Sequence, residues 1–164
     1  MKYFISAPFG NYLRFLNAIS VTGSWTVEPR PGLAWQILKT LRYVKTEGGW
    51  GWRNKIGLRN AGIHEGLKRR HSFDVMSIAP IQKWDWINFD SILPEKQSIE
   101  VNISCPNLDT EEDATSFPYF DKFPQQGKYW CICKIPPTAS KDLVDKIVDS
   151  GYTQIHASNT LHQN

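Results

Sequence analysis

A hydroxyl, a thiol and two carboxamides are crowded into one hexapeptide, Asn102-Ile103-Ser104-Cys105-Pro106-Asn107. The run before it, Ser98-Ile99-Glu100-Val101, reads as a buried strand. Asn102 and Ser104 lie two residues apart on extended chain and so point the same way. Cys105 and Asn107 follow where the chain turns, and Pro106 stiffens the exit. A strand end is a rigid platform, so a polar cluster there can face a ligand rather than a core. The alternative is a strand followed by an ordinary Pro-Asn turn. Similar polar groups recur at other predicted strand ends: Thr22-Gly23-Ser24, Lys134 and Ser158-Asn159-Thr160. The recurrence says more than any one of them.

The elements that must position these groups alternate between short β runs and amphipathic helical stretches. Strands are expected over residues 3–7, 18–22, 74–79, 99–104, 129–135 and 153–157. Leu33, Ile37, Leu38 and Leu41 mark a helix of period 3.6, and Trp84 to Leu93 a second that Pro94 stops. Ser140 is a good N-cap for a third, whose face is Leu143, Val144, Ile147 and Val148, with Gly151 where a C-cap glycine belongs. Gly48-Gly49-Trp50-Gly51 reads as a turn, and residues 117–123 as an aromatic segment of undetermined type. Such alternation predicts an α/β fold with a parallel sheet, in which the carboxyl ends of strands build the site.

The chain of 164 residues is long enough for one domain with a real core, taken here as residues 1–164. Its 41% hydrophobic and 21% charged residues suit a soluble globular protein. A net charge of +3 is too small to argue for nucleic acid. Lys68-Arg69-Arg70-His71 is basic and seven Trp could stack bases, but the cluster is short and acidic residues nearly match basic ones, so no nucleic-acid partner is expected. No apolar run reaches the roughly 20 residues of a membrane helix. Three cysteines without a CxxC pair argue for a reducing compartment, so a cytoplasmic location is expected. Cys131 and Cys133 alternate with Ile132 as core or barrel-lining residues would. The four His show no metal-ligand spacing, so no metal is expected.

The hexapeptide resembles the signature of the dihydroorotate dehydrogenases, FMN enzymes of pyrimidine synthesis built on a (β/α)8 barrel. Cysteine at its fourth position is similar to the soluble branch. The likeness continues through Thr22-Gly23-Ser24-Trp25-Thr26 with Glu28, Arg30 and Gly32, through Asn54-Lys55-Ile56-Gly57-Leu58-Arg59-Asn60, and to Lys134 and Asn159. The resemblance implies an oxidoreductase that converts dihydroorotate to orotate. Cys105 would be the base removing the C5 proton. Asn54, Gly57, Leu58, Asn102, Asn107 and Asn159 would hold the substrate. Thr22, Ser24, Lys134 and Ser158 would meet FMN, with Lys134 near the flavin N1 and C2 carbonyl.

The likeness has departures. Gly23 stands where soluble members often carry a lysine that touches both flavin and substrate, so substrate charge must be neutralised from elsewhere. The acidic run Asp109 to Asp113 lacks the glycines usual in the family's lid. The chain stops after its sixth strand, whereas a full barrel takes about 250 residues, so the expected fold is an incomplete TIM-type barrel of about six of eight β/α units. A second polypeptide or self-association would then complete it. The other reading is a truncated non-catalytic remnant, or one half of a split barrel, acting as an interaction protein.

Overall fold

The computed structural model describes residues 3–46, 48–104, 120–125 and 130–158. Six parallel strands form one curled sheet: β1 (Tyr3–Ile5), β2 (Ala18–Trp25), β5 (Val75–Ile78), β6 (Ile99–Asn102), β7 (Cys131–Ile135) and β8 (Gln154–Ala157), in that spatial order. Each strand lies beside the previous one, so the sheet winds in one direction and never reverses. The result is a mixed α/β fold with a half-barrel sheet. Between β2 and β5 come α1 (Leu33–Thr40), an antiparallel hairpin of β3 (Arg42–Thr46) and β4 (Gly49–Arg53), and α2 (Ile63–Arg69). Then α3 (Asp85–Ile92), α4 (Lys122–Gln125) and α5 (Lys141–Asp149) follow β5, β6 and β7.

All six expected strands are present, with shifted ends. The second is longer than its apolar run suggested: Thr22, Gly23 and Ser24 lie inside β2, not beyond it. The expected turn at residues 48–51 is corrected too. Gly49, Trp50 and Gly51 belong to β4, and Gly51 pairs with Val44. Two Gly between short aromatic and β-branched runs are a hairpin signal, and the Gly-rich composition hid it. On one face of that hairpin Tyr43 stacks on Trp50 at a centroid distance of 5.4 Å.

Period-2 alternation divides each strand between two surfaces. On the convex side Met76, Ile78, Ile99, Val101, Cys131, Cys133 and Ile135 join Ile63, Trp86, Phe89 and Ile147 from α2, α3 and α5 in the main core. On the concave side Val21, Val75 and Ile132 form a small apolar layer contributed by β2, β5 and β7. The curl brings the first strand toward the last ones. Phe4 of β1 lies 6.3 Å from Trp130, and Ser6 Oγ is 3.3 Å from His156 Nε2 on β8.

Helix α5 is capped as its sequence dictates. Ser140 Oγ accepts a bond from the Leu143 N–H, and Gly151 takes φ +97° just past the helix. Leu143, Val144 and Ile147 pack on the core, but Val148 is 54% exposed and lies off that face. Among the described residues no helix is long and apolar enough to cross a membrane.

Inside the curl sits Glu100, 1% exposed. Its carboxyl group accepts from Ser77 Oγ at 2.8 Å on β5 and meets His156 Nδ1 at 2.6 Å on β8. Glu100→Ala should cost about 3 kcal/mol, because it removes the carboxyl group that joins Ser77 to His156 and leaves a gap in a buried site. Val148→Ala should change stability by less than about 0.5 kcal/mol. Urea denaturation midpoints of the two variants check this pair of expectations.

Candidate functional site

The carboxyl ends of β2, β6 and β7 open into a cleft of about 990 Å³. That is the upper end of the range for small-molecule sites, ~300–1,000 Å³. Its floor carries Thr22, Ser24, Asn102 and Lys134, and one wall is the segment Asn54 to Ala61, including Gly57 and Leu58. Seven of the residues singled out from sequence therefore share one hollow, although they come from three strands and a loop. Ser158 follows β8, where its N–H bonds to the carbonyl oxygens of Ile135 and His156, and it does not line the cleft. Cys105, Asn107 and Asn159 lie outside the described residues, as does the acidic run Asp109 to Asp113.

The floor is organised by a chain of hydrogen bonds. Asn102 Nδ2 donates to Ser24 Oγ at 2.7 Å, and Ser24 Oγ lies 2.8 Å from Ser77 Oγ, which reaches Glu100. Asn102 Oδ1 accepts from both the N–H and the hydroxyl of Ser104. Register explains the grouping. Asn102 pairs with Lys134 on β7, which pairs with His156 on β8, so all three project from the same side of the sheet. Sequence reasoning missed Glu100 and His156 as members. Each reads as an isolated polar residue within a strand until the register is known.

The wall is held by Asn60. Its side-chain oxygen accepts from the backbone N–H groups of Thr26 and Gly62, at 3.2 Å and 2.8 Å, and its Nδ2 donates to Thr26 Oγ1 and the Leu58 carbonyl. The backbones of Arg30 and Asn60 exchange a pair of bonds at 2.8 Å and 2.9 Å. Asn60 was quoted as part of a matching loop, with no role of its own. Its function is structural: it ties the segment after β2 to the loop that forms the wall. Asn11 does the same for Gly23, accepting from its N–H at 2.8 Å.

The electrostatics are one-sided. Six cations line the cleft, Arg14, Arg30, Arg59, Arg69, Arg70 and Lys134, and no Asp or Glu does so among the described residues. Arg14 is taken up by a bidentate pair with Asp74 at 2.9 Å, and Arg69 by Glu65 at 2.8 Å. Arg59 donates to the Pro31 carbonyl. Arg30 differs: its Nε is buried with no hydrogen-bond partner among the described residues. A buried donor left so costs about 1–3 kcal/mol. Lys134 is 7% exposed, and its ammonium has no partner among the described residues. The basic run Lys68-Arg69-Arg70 is partly neutralised, since Glu65 pairs with both Lys68 and Arg69.

Two other sequence features resolve physically. Cys131 and Cys133 belong to the convex core, and burial pushes both thiols up to about 12. For Cys133 the nearby Glu100 and Cys131 add to that effect. Gly23 has φ +108°, and a Cβ there would lie 2.4 Å from the Ser77 carbonyl oxygen. A side chain at this position collides with the β5 backbone, so a lysine has no room there.

No protein-family model matches the chain, and no curated protein sequence matches it.

Two predictions follow from the site. Gly23→Lys should destabilise by about 2 kcal/mol or more, from the left-handed backbone and the overlap with β5. A thermal melt that matched the parent would refute that. The core thiols should resist alkylation: at pH 8 roughly one in ten thousand is ionised if each titrates at about 12. Folded Cys105→Ala should thus take up no iodoacetamide, and the urea-unfolded variant two equivalents by mass spectrometry. The sign of the pH effect is fixed by the same groups. An unfolded thiol titrates near 9 and the folded ones near 12, so their contribution is whole below pH 9 and is lost as pH climbs toward 12. Tyr152, whose phenol is also raised by burial, acts in the same direction.

Proposed function

We propose that this chain forms six strands of a (β/α)8 TIM-type barrel and works as an FMN-dependent oxidoreductase of the dihydroorotate dehydrogenase type, converting dihydroorotate to orotate in pyrimidine synthesis. The barrel reading is supported by the one-directional strand order, because doubly wound sheets reverse at a switch point. The functional reading is supported by one observation above the rest. Thr22, Ser24, Asn54, Gly57, Leu58, Asn102 and Lys134, each quoted from sequence for this activity, line the same cleft.

The residues present fit the cofactor's ring. Gly57 has φ +68°, and its missing side chain lets backbone N–H groups approach a flat ligand. Lys134 offers a buried ammonium on the cleft floor. Among the described residues no glycine-rich phosphate loop lines the cleft, and the Gly48 to Gly51 stretch lies in the hairpin. Bound FMN would supply the hydride acceptor. The chain's own groups do the rest. Cys105 takes the C5 proton of the substrate. Asn102, fixed by Ser24 and Ser104, orients the substrate ring, and such positioning carries much of the rate. Lys134 would hold the ring with a positive charge from the cleft floor.

A second reading is favoured by the sheet's edges. Tyr3 and Phe4 of β1 are 58% and 47% exposed, and Ile155 of β8 is 36% exposed. In the barrel reading the remaining strands lie between these edges. A chain that kept this surface and lost the cofactor would be an interaction protein.

Protein supplied with FMN should bind it and be bleached by dihydroorotate under anaerobic conditions. Cys105→Ala should keep the flavin and lose bleaching by at least about 100-fold. Parental bleaching in that variant would exclude Cys105 as the base. A chain that stays colourless and has no affinity for FMN would leave the interaction reading standing.

A further inference from the structure

We infer that Arg30 is the receptor for the anionic group of the cleft's ligand, a carboxylate on a flat heterocycle, and that it does the work for which Gly23 leaves no side chain. The identity of that ligand as a carboxylated pyrimidine rests on the function proposed above. The role of Arg30 rests on four observations of its own.

First, the cleft is a cationic hollow without an acidic residue among its described lining, so its charge is complementary to an anion. Second, the cations have unequal commitments. Arg14 and Arg69 each hold a carboxylate of the protein, and Arg59 holds a carbonyl. Lys134 stands on the floor among the groups that would meet the ring, and Arg70 follows the end of α2. Arg30 lines the same cleft with a buried Nε that meets no acceptor among the described residues. A guanidinium presents a planar fork that matches a carboxylate bidentately.

Third, the side chain starts from a fixed backbone. Pro29 and Pro31 flank Arg30, and its own N–H and C=O are both bonded to Asn60. Asn60 in turn is held by Thr26 and Gly62. Little freedom is lost when such a group binds, which is the advantage of preorganisation. Fourth, the same two-residue bridge joins Arg30 to the wall that carries Asn54, Gly57 and Leu58. An anion on Arg30 would thus lie beside the surface expected to hold a planar ring.

The test is calorimetric titration of FMN-loaded full-length protein with orotate and with uracil, which shares the ring and lacks the carboxylate. The parent should bind orotate more tightly than uracil. Arg30→Gln should weaken orotate by about 30-fold or more and leave uracil within about twofold. Arg30→Lys, which keeps the charge and loses the fork, should fall between them for orotate. Thermal melts of the unliganded variants add a second readout. A guanidinium kept for a ligand predicts that Arg30→Gln melts no lower than the parent, whereas a structural arginine predicts a fall. The inference is overturned if Arg30→Gln binds orotate as the parent does, if it loses both ligands equally, or if it melts markedly lower. Binding of uracil but not of orotate by the parent overturns it as well. If the parent binds neither pyrimidine, the dihydroorotate reading fails and takes this one with it.

Discussion

The buried carboxyl group of Glu100 is the constraint on which the concave side depends. Taking such a group out of water costs several kcal/mol unless its lone pairs are satisfied. Here Ser77 and His156 satisfy them, so β5, β6 and β8 must stay in one relative register. A one-residue slip of any of the three would turn its polar residue to the convex core and leave the carboxyl stranded. The same bonds reach the cleft, because Ser77 also meets Ser24, and Ser24 receives the Asn102 amide. The positions of two cleft residues are thus tied to the fold of the sheet interior. Beneath this polar tier the apolar contact of Val21, Val75 and Ile132 fills the space that water would otherwise enter.

The curl follows from the same arrangement. A flat sheet would leave the concave polar groups to solvent and need nothing from its first strand. In this chain Ser6, just beyond β1, reaches His156 on β8, and Phe4 approaches Trp130. The two flanks of the sheet meet through side chains across the interior rather than through backbone pairing. The convex face is covered by helices and a shared apolar core, so strength lies outside and polarity inside. That division leaves the carboxyl ends of β2, β6 and β7 free to carry Ser24, Asn102 and Lys134 without being needed for the core.

Much of this was legible in the sequence, for physical reasons that differ by element. The parallel strands announced themselves because both faces are covered, which gives apolar runs such as Val75 to Ile78. Helix α5 was legible down to its caps, since Ser140 and Gly151 each solve a local backbone problem. Val148 was misassigned because a helical period does not reveal how wide the covered stripe is. The hairpin of β3 and β4 was read as a turn because glycine is a strand breaker by propensity, while pairing of Val44 with Gly51 needs no side chain at the second position. The cleft residues were recognised from motif resemblance, but the groups that hold them were not. Asn60, Asn11, Glu100 and His156 act through register and close approach, which periodicity does not encode.

What separates the cleft from the rest of the molecule is where bonding rules go unmet. Two buried side-chain nitrogens lack a hydrogen-bond acceptor among the described residues, Arg30 Nε and Trp86 Nε1. They are not equivalent. Trp86 is fully buried between the rings of Phe120 and Phe123, with edge-on contacts at 5.6 Å and 5.5 Å, and its large apolar body outweighs one lost bond. Arg30 has no such compensation. It is half-buried, cationic, and beside a hollow with no described carboxylate, while Arg14 and Arg69 nearby have found Asp74 and Glu65. An orphaned donor in the core is a tolerated cost of packing a tryptophan. An orphaned cation beside a cleft is an interaction left open among the described residues.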